Sequence, residues 1–303
     1  MGRRNKVKLK RNDLFIGIYI LSAVLFFIIS IPSWLLDILL AFNIMVALVI
    51  LFNSLFAKEV LDMASFPTML LFTTIFRISL NVSSTKMILR DGYAGHVVSV
   101  FGQFVGGGNL VIGTIIFIVL IIVQFIVINK GSERVSEVTA RFTLDAMAGK
   151  QMAIDSDLNT GAITDKEAAE RRKKLQQENS FFGSMDGATK YVKGDATAGL
   201  IITAINLVGG IAMGMLYNGM SINDALSTYS ILTIGDGLCS QIPSLLISLS
   251  TGILVTKASS EGELGDEMVG QLFSMDRVLI MVGAALILLG VGTPLPFYIF
   301  VPL

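Results

Sequence analysis

Cysteine and histidine are almost missing from this 303-residue chain, which has one of each, Cys239 and His96. A single cysteine closes no internal disulfide. Cys239 also lies inside an apolar run, so neither a disulfide framework nor a cysteine-based metal site is expected. A single histidine forms no ligand cluster, and no Ser/His or Cys/His nucleophile–base pair can be assembled. No enzymatic activity and no cofactor are therefore expected. The pattern G-x-x-x-x-G-K-[ST] is absent, and Gly106-Gly107-Gly108 lacks the following lysine and reads as a turn. Formal net charge is zero, so no global basic field points to nucleic acid, and no such partner is expected. Charge of any kind is scarce, at 15% of residues.

What fills the chain instead is apolar. Hydrophobic residues make up 53% of it, and mean hydropathy is +0.73. Runs of about 20 apolar residues can cross a bilayer core of about 30 Å. The runs predict spans at 14–31, 35–52, 66–89, 110–128, 198–217, 226–256 and 278–291, with an eighth starting near Pro296. The expectation is an all-α polytopic membrane protein with eight transmembrane helices. The last is incomplete at Leu303, so a longer natural chain is expected. The first run is too long for a signal-peptide core and lacks an A-x-A-like cleavage site, so it reads as a retained helix. Ser30-Ile31-Pro32-Ser33 and Gly292-Thr293-Pro294-Leu295-Pro296 read as tight turns of helical hairpins, because proline ends helices.

Charge placement orients these spans. Twenty of the 23 Lys and Arg fall on one side if the spans alternate, and six of those lie within residues 2–11. By the positive-inside rule that side is cytosolic, and the N-terminus with it. Between spans four and five lies a polar segment, 129–193, with eleven Lys and Arg. This large cytosolic loop separates a membrane region at 1–128 from another at 194–303. Within it, Thr164-Asp165-Lys166-Glu167 is a capping box that opens a helix through about Gln177. That helix is charged nearly all round and serves as a solvated face or as a docking surface. Asp155-Ser-Asp157-Leu-Asn159-Thr-Gly161 resembles the start of a calcium loop, but its glycine is one place late.

Three spans carry polar groups that the bilayer penalises by about 2.5–3.5 kcal/mol per charge. Span three bears Thr74, Arg77, Asn81, Ser84 and Thr85 on one stripe, followed by Lys86 and Arg90. Span five opens with Asp195, which shares a face with Gly199, Thr203, Asn206, Gly210 and Gly214. Span six bears Asp236, Ser240, Ser244 and Ser248, with Gly235, Gly237 and Pro243 among them. Gly and Pro around a mid-membrane acid predict a broken helix. Each stripe also has a plainer reading. Serines and glycines serve helix packing, and Asp195 at a helix N-terminus complements the dipole. Together the stripes point to a cation-coupled device in which Asp195, Asp236 and Arg77 handle a proton, or else Na⁺.

Residues 133–157, ERVSEVTARFTLDAMAGKQMAIDSD, resemble the signature of the FHIPEP family of export-gate proteins. FRISLNVSSTK at 76–86, SMDGATK at 184–190 and YVKGDATAG at 191–199 resemble the family as well. The likeness covers essentially the whole chain. One departure is Ala148, where the family usually has proline. The resemblance implies an integral subunit of a flagellar or virulence type III export gate in the bacterial inner membrane. Such a subunit couples proton-motive force to the export of unfolded proteins. Residues 80–84, LNVSS, favour the flagellar branch. The resemblance also implies functional charges at Arg77, Arg134, Arg141, Asp145, Lys150, Asp186, Lys190, Asp195 and Asp236. Lys193 joins Lys190 and Arg77 as a candidate partner of Asp195. The implied partners are the lipid bilayer, other copies in a ring (a nonamer in the family) and other export-gate membrane subunits. The export ATPase and chaperone–substrate complexes would dock on a C-terminal cytosolic domain beyond these residues. The rival readings are a cation-coupled secondary transporter and a purely structural ring scaffold.

Overall fold

The computed structural model describes residues 11–106, 109–257 and 264–292, and within them every regular element is helical. The helices are α1 (Arg11–Ile28), α2 (Ser33–Phe56), α3 (Phe66–Asp91), α4 (His96–Gly106), α5 (Leu110–Ile122), α6 (Lys130–Asp145), α7 (Met147–Asn159), α8 (Asp165–Leu216), α9 (Ile222–Thr256), α10 (Leu264–Phe273) and α11 (Asp276–Gly292). A 3₁₀ turn at Val60–Met63 joins α2 to α3, and a π-helical stretch at Val123–Asn129 joins α5 to α6.

Among the described residues, five helical units are long and apolar enough to cross a membrane: Ser33–Phe56, Val60–Asp91, Leu110–Asn159, Asp165–Leu216 and Ile222–Thr256. Of the eight expected spans, the first is a shorter apolar helix, Ile16–Ile28. The seventh falls on the 17-residue α11, and the eighth lies outside the described residues. The apolar side chains of α5 stand outward, Val111, Ile112, Ile115, Ile116, Ile118 and Val119 among them. That is inverted for a water-soluble fold and natural for a lipid-facing one.

The polar segment is not a loop in conformation. The π-helical stretch carries α5 directly into α6, and α8 runs unbroken for 52 residues. At 1.5 Å per residue α8 is a rod of about 78 Å, well beyond a 30 Å hydrocarbon core. The capping box is present. Thr164 Oγ1 accepts from the Glu167 N–H at 3.3 Å, and Glu167 Oε2 accepts from the Thr164 N–H at 2.8 Å. Exposed ion pairs hold α7 along α8: Arg171–Asp157 at 3.1 Å, Arg172–Asp155 at 2.6 Å and Lys150–Glu178 at 3.4 Å. The two acids of the calcium-like run are therefore helical and paired to arginines.

The expected break in span six is corrected: α9 is one continuous helix from Ile222 to Thr256, with Pro243 inside it. The glycines that suggested a break serve close packing instead. A Cβ on Gly235 would strike the backbone carbonyl of Val98, and one on Gly237 would strike the Phe117 ring. α4 crosses α9 at this point, with Gly102 against the Ile231 carbonyl. α4 has 11 residues and rises only about 16 Å, too short to cross a bilayer core. α9 is the hub, packed on α2, α4 and α8, while α3 lies along α8. α1 lies against α3: Tyr19 and Phe76 stack at 5.0 Å, Ser83 donates to the Phe26 carbonyl, and Lys86 donates to the Phe27 carbonyl.

Candidate functional site

The polar stripes of α3, α8 and α9 face one another. Thr74, Arg77, Asn81 and Ser84 on α3 are all buried, so that stripe turns toward protein and away from lipid. Its reason is period: residues three or four apart share a helix face. Asp195 and Asn206 on α8, and Asp236, Ser244 and Ser248 on α9, are buried opposite.

Arg77 is 1% exposed. Its Nε donates to Asp195 Oδ2 at 2.7 Å, and its Nη2 donates to the same oxygen. Asp195 is not at a helix start, contrary to the dipole reading, because α8 continues through it. Burial of both charges is tolerable only because each satisfies the other. Of the three basic partners expected for Asp195, the other two are engaged elsewhere. Lys190 Nζ donates to Asp186 at 2.7 Å, and Lys193 Nζ to Glu133 at 2.9 Å. The Asp186 carboxylate beside Lys190 raises its ammonium above the usual lysine range.

Beside the Arg77–Asp195 pair is a cavity of about 40 Å³, bordered by Asn81, Gln124, Thr203, Ser240 and Ser244. At about 10–15 Å³ per water, it has room for about three. Arg77 Nη1 and Ser244 Oγ are buried at this cavity without a protein partner. A cluster of polar walls and unpaired donors is a site that suits water.

Asp236 does not border this cavity. It lies further along the same seam, where Asn206 Nδ2 donates to its Oδ2 at 2.8 Å. Eleven residues of α8 separate Asp195 from Asn206, a rise of about 16 Å. The seam therefore holds two carboxylates at two depths, one paired to a cation and one to a neutral amide.

The remaining expected residues lie on the polar helices α6, α7 and the first part of α8. Arg134 and Arg141 both donate to Glu137, at 3.1 and 3.5 Å. Arg141 and Asp145 of α6 border a cleft of about 350 Å³ with Asp186 and Lys190 of α8. Lys150 reaches Glu178. The membrane seam and these helices are stitched together: Ser248 Oγ donates to Asn129 Oδ1 at 2.9 Å, and Ser132 Oγ donates to the Ser248 carbonyl at 2.8 Å. Gln124 Nε2 donates to the Gln241 carbonyl at 3.2 Å, just before Pro243.

Sequence reasoning missed Gln124 and Asn129, although two amides in an otherwise apolar run were a signal. It also missed Lys257, which is 2% exposed and donates to the carbonyls of Leu55, at 2.9 Å, and Ala57. Lys257 thereby ties the end of α9 to the end of α2. Among the described residues no group of three His, Cys, Asp or Glu could hold a metal ion.

The FHIPEP family model matches residues 23–303. The flagellar biosynthesis protein FlhA of Bacillus subtilis (strain 168) is 53% identical over 291 residues, covering 96% of this chain and 43% of that protein. FlhA of Salmonella typhimurium is 49% identical over 288 residues, covering 93% of this chain and 42% of that protein. Protein MxiA of Shigella flexneri is 46% identical over 289 residues, covering 95% and 42%. The chain thus spans less than half the length of these relatives. No solved structure matches it significantly.

Proposed function

The chain belongs to the FHIPEP family, and on that premise we propose that it is an integral subunit of the flagellar type III export gate, coupling proton-motive force to the export of unfolded flagellar proteins. The observation that carries this reading is the buried Arg77–Asp195 pair beside a water-sized polar cavity. A carboxylate there exchanges a charged, Arg-paired state for a neutral one when it binds a proton. Neutralisation leaves Arg77 buried without its counter-charge, a state costly enough to move helices. A potential supplies about 2.3 kcal/mol per charge per 100 mV. Asp195 lies on the same unbroken helix as Asp186 and Lys190, so displacement of α8 in the membrane is displacement at the cytosolic cleft. Asp236 is the second station of the path.

In this reading the protein is not an enzyme and needs no cofactor beyond the coupling ion, H⁺ or else Na⁺. It sits in the bacterial inner membrane with eight spans and a cytosolic N-terminus, in a nine-membered ring with other gate subunits. The export ATPase and chaperone–substrate complexes are partners of the whole protein. The flagellar assignment is supported by identity falling from 53% with a FlhA to 46% with MxiA. A virulence export gate is the second reading, favoured only by that 46%.

The test is Asp195→Asn in the full-length protein. The expected outcome is loss of export and motility with normal insertion and ring assembly. Normal motility would sink the coupling role. Proton flux in vesicles that persists without any export partner would favour a small-ion transporter.

A further inference from the structure

We infer that Asn206 is a positioning residue for Asp236, holding that carboxyl group satisfied in both its charged and its neutral form. This rests on the reading of Asp236 as part of the ion path. Asn206 is completely buried, and it aims at nothing else. Its Nδ2 donates to Asp236 at 2.8 Å, while its Oδ1 has no partner. An amide carries both donors and an acceptor. It can donate to a carboxylate, and after rotation it can accept from a carboxylic acid. The free Oδ1 is what a proton acquired by Asp236 would need. A buried polar group left unsatisfied in one of its two states carries a desolvation penalty, and a residue that serves both states removes it from proton cycling.

The packing holds this contact in place. On α8, Asn206, Gly210 and Gly214 follow at intervals of four, on one face. On α9, Tyr229 and Asp236 are seven apart, on one face. A Cβ on Gly210 or Gly214 would overlap the Tyr229 ring. The two helices are thus drawn together one to two turns from the contact, close enough for the short asparagine to reach. The other groups around Asp236 are neutral. Ser84 faces it from α3, the backbone of α4 packs at Gly235, and the Phe117 ring of α5 packs at Gly237. Cys239 follows on α9 itself. Beyond these, the Asp37 carboxylate of α2 lies near Cys239; along the seam, Arg77 is about 10 Å from Ser84 on α3 and Asp195 about 16 Å from Asn206 on α8 by helix rise.

The experiment measures export by the full-length protein as a function of cytosolic pH for Asn206→Leu, Asn206→Ser and Asp236→Asn. Infrared spectroscopy of the same proteins in lipid vesicles follows the acid band that Asp236→Asn removes. Asn206→Leu keeps the branched shape and removes the amide. A hydrogen bond to the charged carboxylate is stronger than one from the neutral acid, so loss of the amide should move the half-point of the export profile and of the acid band to higher pH by about one unit, a tenfold change in proton affinity. Asn206→Ser, with its hydroxyl, should restore at least half of that shift. Export that falls equally at every pH, or profiles that do not move, would overturn the role of Asn206 while Asp236→Asn remains defective. If Asp236→Asn exports normally, the reading of Asp236 itself fails instead. Should Asn206→Leu not accumulate in membranes, the serine variant carries the same test, with a shift expected in the same direction.

Discussion

Arg77–Asp195 in the buried seam and Arg172–Asp155 between the polar helices α7 and α8 are the same chemical pair in two surroundings. The first has side chains 1% and 4% exposed, the second 44% and 48%. Water already solvates both members of the second pair, so joining them gains little. Neither member of the first has that alternative, so each depends on the other. Among the described residues the charged groups of the seam are few, and its one ion pair has no alternative partner nearby. The polar helices have many, in exposed pairs of interchangeable geometry. A charge that can be lost without consequence in one region is decisive in the other.

The widest gap should appear on removing the arginine. Arg77→Ala leaves a buried, unpaired carboxylate, and about 3–5 kcal/mol of stability should be lost. Thermal unfolding of the full-length protein in lipid nanodiscs reads this. Adding Asp195→Ala to Arg77→Ala should recover much of that stability without recovering export. An Arg77→Ala protein that melts like its parent would show that the seam is wetter than the fold implies.

A smaller effect belongs to the start of α8. Thr164→Ala removes the side-chain cap and should cost about 1 kcal/mol of local helix stability, read as faster amide exchange in its first turn. The partner group adds a pH dependence. The Thr164 backbone N–H, and then its hydroxyl, hold the Glu167 carboxyl below the usual glutamate range. A folded value below the unfolded one means this contribution is complete above the ordinary glutamate range. It is lost as pH falls through the lowered value. The first turn of α8 should therefore exchange faster in acid, and Glu167→Gln should flatten that dependence.

The smallest effect closes the comparison. Arg172→Ala should change stability by no more than about 1 kcal/mol, and by less in high salt. A loss as large as that of Arg77→Ala would mean that α7 and α8 are covered in the assembled protein.

Much of the site was legible before any coordinates. Arg77, Asn81 and Ser84 recur at helical spacing, and polar residues in an apolar run must face protein or water. The Thr164–Glu167 box announced its own helix start, since a cap is made by residues three apart in sequence. What misled was punctuation. Gly235, Gly237 and Pro243 read as a break, yet α9 is whole, because the glycines accommodate the α4 backbone and the Phe117 ring. A glycine looks the same in sequence whether it bends a helix or admits a neighbour. Likewise, the charged segment 129–193 read as a loop by polarity, and polarity does not forbid helix.

The sequence alone determined the helical membrane class, the family, the residues of the three polar stripes and the cap that starts α8. All of these follow from local composition and period. Only the tertiary structure decided that Asp195 pairs with Arg77 while Lys190 and Lys193 turn to Asp186 and Glu133. It alone separated Asp236 from the Arg77 cavity and joined it to Asn206. Periodicity sets which face of a helix a group occupies. Which partner it meets depends on how neighbouring helices are rotated and slid against one another, and that is fixed by packing across the whole bundle.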